Sequence, residues 1–344
     1  MGILRKLYRP ELFQGSLRKR GYFEGWYLKH VSADLQNVLA FIPGISLSAE
    51  PHAFIQVING ISGKTLYFSY ELDSFSWDRR SFTVRIGNSV FSDRFSSIDI
   101  SQDNHEINGM LEYSGITPYP KTVFSPGIMG WYSFVPFMEC NHGVVSMHHS
   151  IEGELVIDSS TVDFTGGTGY IEKDWGTSFP QSWIWLQCNT FEGKPASLML
   201  SIAKIPWVRK FFIGFISFLN VDGKLYSFST YNGSDIDSVQ WDSTGELRVG
   251  LSNREHHLEI TVFSESFGSL KAPRLGTMER FIRESLDSRV SVKLYNRRGT
   301  VLFSGEGTRA GFEIIPELLE YFSPDGNYPG KRRAPGWKNT KGQP

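Results

Sequence analysis

The chain has 344 residues, of which 21% are charged and 40% hydrophobic, an ordinary globular composition that excludes a disordered polypeptide. A net charge of -1, from 35 Lys+Arg against 36 Asp+Glu, supplies no field to gather nucleic acid, so that class of partner is set aside. Aromatics reach 14%, and such side chains favour strands and line pockets for flat or hydrocarbon ligands.

Residues 1–20 form a basic arm, with Arg5, Lys6, Arg9, Arg18, Lys19 and Arg20 set among Ile3, Leu4, Leu7, Leu12 and Phe13. It reads as a solubilising segment that could also rest on an anionic bilayer as a peripheral contact. The arm has no apolar core of signal-peptide length, and no later stretch offers the ~18 uninterrupted apolar residues of a membrane span. A cytoplasmic location is the expectation.

From residue 21 onward strand-like runs recur about every ten residues. In the first, Tyr22, Glu24, Trp26 and Leu28 alternate with Phe23, Gly25, Tyr27 and Lys29, which places one acid on an otherwise aromatic face. Turn pairs such as Asn59-Gly60 and Gly87-Asn88 separate the runs that follow. Residues 119–130 are rich in Pro and Gly and read as an irregular crossing. The run Phe211 to Leu219 is apolar on both faces and reads as a buried strand. Glu279 to Asp287 is the one helical stretch expected, with Phe281, Ile282 and Leu286 on one side. Regular strands with this spacing predict an all-β fold of two lipocalin-like antiparallel β-barrels packed together, with that one short helix. The expected divisions are 21–180 for the first barrel, 181–322 for the second and 323–344 for a loose tail.

Cys140 and Cys188 sit in no metal or redox spacing and read as buried thiols. No nucleotide-binding glycine loop, HExxH or CxxC occurs, and neither a metal nor a cofactor is expected. In Met147-His148-His149 the two histidines are strand neighbours pointing to opposite faces, which suits a pocket partner better than a shared ion.

The densest chemistry lies in GYIEKDWGTSFPQSWIWLQCN, Gly169 to Asn189. As a strand, its first part puts Tyr170, Glu172 and Asp174 on one face. The Gly176–Pro180 segment is expected to reverse the chain into a hairpin. Trp183, Trp185, Gln187 and Asn189 then share one face of the returning strand. With Glu24, Glu139, Tyr22, Trp26 and Trp131, these are acids among aromatics. A carboxylic acid kept protonated in a dry pocket can give its proton to an alkene, and aromatic faces stabilise the resulting cation.

YFEGWYLK near the start, GWYSFVPF from Gly130, YIEKDWGTSFPQSWIWLQCN and LKAPR from Leu270 resemble, in order and spacing, the successive motifs of the tocopherol cyclase family. That resemblance implies a lipocalin-like scaffold, more remotely similar to carotenoid 1,2-hydratases. It also implies closure of a chromanol ring by adding a phenolic hydroxyl of a prenylated hydroquinone across the nearest tail alkene. The hydratases carry Tyr-x-Asp where Tyr170-Ile171-Glu172 stands, and the plant cyclases carry Glu, which makes Glu172 the preferred proton donor. Asp174 departs from an Asn in the plant motif, and Met147-His148-His149 replaces small residues, which leaves the substrate open.

The expectation is therefore a cofactor-independent cyclase acting on a hydrophobic small molecule. Glu172, Tyr170, Asp174 and Glu24 are its catalytic candidates. Tyr22, Trp26, Trp131, His148, Trp183, Trp185 and Gln187 are its binding candidates. An isoprenoid hydratase on the same scaffold and a non-enzymatic carrier are the alternatives.

Overall fold

A computed structural model describes residues 6–136, 138–207, 210–264 and 266–322. The expected loose tail and the first five residues of the arm lie outside the described residues. The period-two runs form strands throughout. The first sheet takes β1 (Tyr22–Val31), β2 (Val38–Leu47), β3 (His52–Asn59), β4 (Thr65–Glu71), β5 (Phe75–Trp77), β6 (Thr83–Ile86), β7 (Ser89–Ser92), β8 (Phe95–Gln102), β9 (His105–Ser114), β10 (Cys140–Ile157), β11 (Ser160–Asp163) and β12 (Gly167–Gly176). The second takes β13 (Trp183–Cys188), β14 (Ala196–Trp207), β15 (Lys210–Val221), β16 (Lys224–Ser229), β17 (Asp235–Trp241), β18 (Glu246–Ser252), β19 (His256–Phe263), β20 (Gly268–Arg274), β21 (Thr277–Asn296) and β22 (Val301–Ile314).

The fold is all-β, two antiparallel sheets packed together. Their strand orders are β4-β3-β2-β1-β12-β10-β9-β8-β7-β6-β5 and β16-β15-β14-β13-β22-β21-β19-β18-β17, with β11 and β20 attached to β10 and β21. Each order ends in two edge strands, so neither sheet is a barrel closed by strand pairing. Every sheet has its own apolar interior, one around Phe41, Phe91 and Ile151, the other around Leu200, Phe228 and Val292. A third cluster, with Tyr27, Tyr170, Trp185, Met199 and Phe218, fills the seam where β1 and β12 face β13 and β14.

Two expectations are corrected. Glu279–Asp287 is not helical but lies within β21, where Met278, Ile282, Glu284 and Leu286 are buried and Phe281 and Arg283 are exposed. The spacing of Phe281, Ile282 and Leu286 mimics a helical face, but the buried set has period two and includes an acid. Nor do β12 and β13 form a hairpin: they belong to different sheets, and Gly176–Pro180 is the crossing between them. Gly176 adopts φ +155, and a Cβ there would stand 2.0 Å from the Glu139 carbonyl oxygen, so only glycine lets the chain leave β12 this way.

The described arm divides: Arg18, Lys19 and Arg20 are exposed, as a solubilising segment would be, but its middle packs into the fold. Leu12 and Phe13 are buried, and Phe13 joins the first sheet's core. Trp26 Nε1 donates to the Glu11 carbonyl (2.9 Å), Lys173 Nζ to the Pro10 carbonyl (2.9 Å), and the Gln14 and Gly15 amides to Glu24 (2.7 and 2.9 Å). Apolar Leu12 and Phe13 fill a hollow that the strands alone leave open. Among the described residues, no helix is long and apolar enough to cross a membrane.

Candidate active site

A cavity opens at the seam, with about 1460 Å³ of unfilled space when the open solvent at its mouth is included. Apolar groups such as Ile42, Phe54, Met129, Phe179, Ile205 and Phe212 form most of its wall, which is the lining expected for a hydrophobic ligand. Set into that wall are the carboxyl groups of Glu139, Glu172, Asp174, Glu284 and Glu313.

Strand register explains how they meet. On the first sheet Tyr27 stands opposite Glu172, and Asp174 is flanked by Gly25 on β1 and His142 on β10. On the second, Glu313 of β22 lies between Trp185 of β13 and Glu284 of β21. Period two then turns all of these side chains toward the same gap. Tyr27 closes it by donating from its hydroxyl to Glu284 Oε1 (2.7 Å) across the seam.

Glu172 is buried and accepts from the Tyr170 hydroxyl (2.6 Å) and Trp185 Nε1 (3.3 Å). Burial raises its carboxyl to about 7, and Asp174 adds to that, against the opposing pull of His142 and of the two donors. His142 places Nδ1 3.0 Å from Asp174 and Nε2 3.5 Å from Glu172. Burial pulls the imidazole down, but the Asp174 and Glu172 carboxylates outweigh it and raise it to about 9. The imidazolium is thus paired chiefly with Asp174, beside a carboxyl that burial holds near neutrality. His142, Glu172 and Asp174 bring ligand atoms within 4.8 Å of one another, close enough for a cation. His142 Nε2 makes no hydrogen bond in this arrangement, with the Glu172 carboxyl 3.5 Å away.

Across the gap, Trp183 Nε1 donates to Glu313. Burial raises Glu313 to about 8, with Glu172 and Asp174 adding to the effect. Glu284 is pushed well above the carboxylate range by burial first and Glu313 second. Two adjacent acids in so dry a place share a proton more readily than they carry two charges.

Of the residues expected from sequence, Tyr170, Glu172, Asp174, Trp183 and Trp185 come together here. Tyr22, Glu24 and Trp26 do not: they point into the first sheet, where Glu24 is ion-paired with fully buried Lys173 and Trp26 stacks on Phe82. It is Phe23, Gly25 and Tyr27 that face the cavity. Both faces of β1 are aromatic, so alternation alone could not tell them apart. Trp131 is exposed and stacks on Tyr132, which lines the cavity in its place. Gln187 is buried away from it, accepting from Lys29 Nζ (2.9 Å), and half-buried His148 is not on its wall. Both cysteines are free, Cys188 buried and Cys140 half-buried on the cavity wall. Sequence reasoning missed Tyr27, His142, Glu284 and Glu313. A usable signal was present in one of them, since Glu284 stands between Ile282 and Leu286 in one row of β21.

Fold and site together define a two-sheet β-protein that presents buried carboxylic acids to an apolar cavity. The chain belongs to the tocopherol cyclase-like family, whose model matches residues 102–315. It is 28% identical over 155 residues to the probable chloroplastic tocopherol cyclase of Oryza sativa subsp. japonica, a match covering 42% of this chain and 32% of that one. A second match, to the chloroplastic tocopherol cyclase of Zea mays, is again 28% identical over 155 residues, covering 42% and 31%. The match spans about a third of the length of these curated relatives. Among solved structures, CghA superposes with a TM-score of 0.55 at 10% identity over 85% of this chain and 88% of that one. CghA with Sch210972 gives 0.53 at 10% identity over 86% and 88%. At that identity the likeness establishes the shared fold.

Proposed function

We propose that the protein is a cofactor-independent cyclase that adds a phenolic hydroxyl of a prenylated quinol across the nearest alkene of its tail. Glu172 protonates the alkene, Tyr170 and Asp174 hold and tune that acid, and Trp183 and Trp185 face the tertiary cation. The observation that carries this reading is the Glu172 carboxyl, buried, held by Tyr170 and Trp185, and set in the wall of an apolar cavity. Water as the nucleophile would make the same machinery a hydratase. Acids on the cavity wall weigh against a simple carrier, which needs only the apolar lining. Exposed Trp131, Phe134, Trp207 and Phe211 support peripheral contact with a membrane from which so apolar a substrate would load. A cytoplasmic location completes the reading.

The test is an anaerobic incubation of purified protein with a phytylated benzoquinol, following chromanol by chromatography for wild type and Glu172→Gln. Chromanol from wild type alone supports both the reaction and its acid. Chromanol from both removes Glu172 as the donor, and quinol retained without turnover refutes the cyclase in favour of a carrier.

A further inference from the structure

The cyclisation needs a group to receive a proton as well as one to give it. We infer that Glu284 and Glu313, paired across β21 and β22, hold the reacting hydroxyl of the substrate and take up its proton. The inference rests on the proposed function and adds a second polar station to the same cavity.

The geometry is asymmetric. Glu313 is engaged by Trp183 Nε1 and Glu284 Oε1 by the Tyr27 hydroxyl, while buried Glu284 Oε2, on a residue that lines the cavity, receives no donor from the described residues other than the neighbouring Glu313 carboxyl, which shares a proton with it. A ligand hydroxyl would supply the neutral donor that this oxygen lacks. A pair sharing one proton offers a donor and an acceptor side by side, which suits a hydroxyl that must first be held and then deprotonated. Burial and mutual repulsion raise both acids, which makes their ionised form a stronger base than an ordinary carboxylate. Among the described residues no salt bridge joins a cation to either acid, although the charges of Lys29 and Arg280 reach them from farther off, whereas Glu172 has His142 3.5 Å away. The two stations therefore differ in chemistry.

In the resulting sequence Glu172 loses its proton to one alkene carbon as the π bond breaks and a C–H bond forms. The phenolic oxygen then bonds to the cationic carbon, and its O–H proton passes to the carboxylate of the Glu284–Glu313 pair. Product and substrate are isomers. Exchange with solvent through the cavity mouth returns a proton to Glu172 and removes one from the pair.

The test is binding, so it does not require turnover. Quenching of tryptophan fluorescence measures Kd for a phytylated benzoquinol and for its dimethyl ether, which keeps the shape but cannot donate. Wild type and Glu172→Gln should prefer the quinol by about tenfold or more, as expected for a hydrogen bond to a charged acceptor. Glu284→Gln and Glu313→Gln should each lose most of that preference. If either single variant fails to fold, the double Glu284→Gln/Glu313→Gln variant, which keeps an uncharged hydrogen-bonding pair, carries the test. Absence of a preference in wild type, its survival in the Glu284 and Glu313 variants, or its loss in Glu172→Gln alone would each overturn the inference. If the preference behaves as expected but no chromanol ever forms, the hydroxyl station stands and the cyclase reading fails. Chromanol formation with the preference intact in the variants has the reverse meaning.

Discussion

Replacing His142 with Gln should move the titration of Glu172 upward. The imidazolium lies 3.5 Å from Glu172 and favours its ionised form. Coulomb's law at that separation, with an effective dielectric between ~20 and ~80, gives roughly 1–5 kcal/mol of stabilisation of the carboxylate. One unit of pKa corresponds to about 1.4 kcal/mol, so losing the cation should raise Glu172 by roughly one to three units from its value of about 7. The sign is unambiguous, because Asp174 remains and disfavours a second negative charge. Infrared difference titration of the protonated carboxyl band, assigned by its disappearance in Glu172→Gln, reads the value without any substrate. In turnover, the wild-type rate should fall as pH rises through about 7, where the acid form is lost. In His142→Gln that limb should move to higher pH over a lower plateau, since a weaker acid transfers its proton more slowly. A shift below half a unit, or one in the downward direction, would refute the idea that His142 sets the strength of this acid.

Lys173→Met should destabilise the fold by about 3–5 kcal/mol, the cost of leaving a buried ion partner unpaired, as Glu24 would be here. Denaturant titration measures it, and Lys173→Met/Glu24→Gln should recover part of the loss, since a pair removed together leaves no stranded charge. His30 and His149 should each withdraw stability as pH falls below about 6.5, because burial holds His30 at about 3 and pushes His149 well down. The unfolded chain then binds protons that the folded one refuses, so each such histidine removes up to ~1.4 kcal/mol per pH unit between the two values. Urea midpoints at pH 6 and 4.5 should lie closer together in His30→Gln than in wild type. Glu172 and Glu313 act in the opposite sense: raised to about 7 and about 8, they contribute stability below the usual carboxylate range that is lost as pH rises through those values. Tyr170→Phe removes one of the donors that favour ionised Glu172, so the same infrared band should titrate at higher pH than in wild type.

Much of the first station was legible in the sequence. A strand from Gly169 must put Tyr170, Glu172 and Asp174 on one side, because side chains alternate whatever the sheet does next, and the same rule aligns Trp183 with Trp185. Family motifs pointed to the same stretch. The alternation of β1 was equally clear, but which face met the cavity was not, since Tyr22, Glu24 and Trp26 look no less fit for a pocket than Phe23 and Tyr27. That choice was made by Lys173, which neutralises Glu24 inside the first sheet, and by the arm that seals the space around it.

Alternation along single strands thus determined the all-β class and the local grouping of side chains, because both depend on contacts within a few residues. Only the tertiary structure decided that β12 and β13 part into different sheets, and that His142, Tyr27, Glu284 and Glu313 meet Glu172. Those meetings depend on register between distant strands and on how two curled sheets face each other. Their physical consequence, acids raised by burial and by one another, exists only where the seam excludes water.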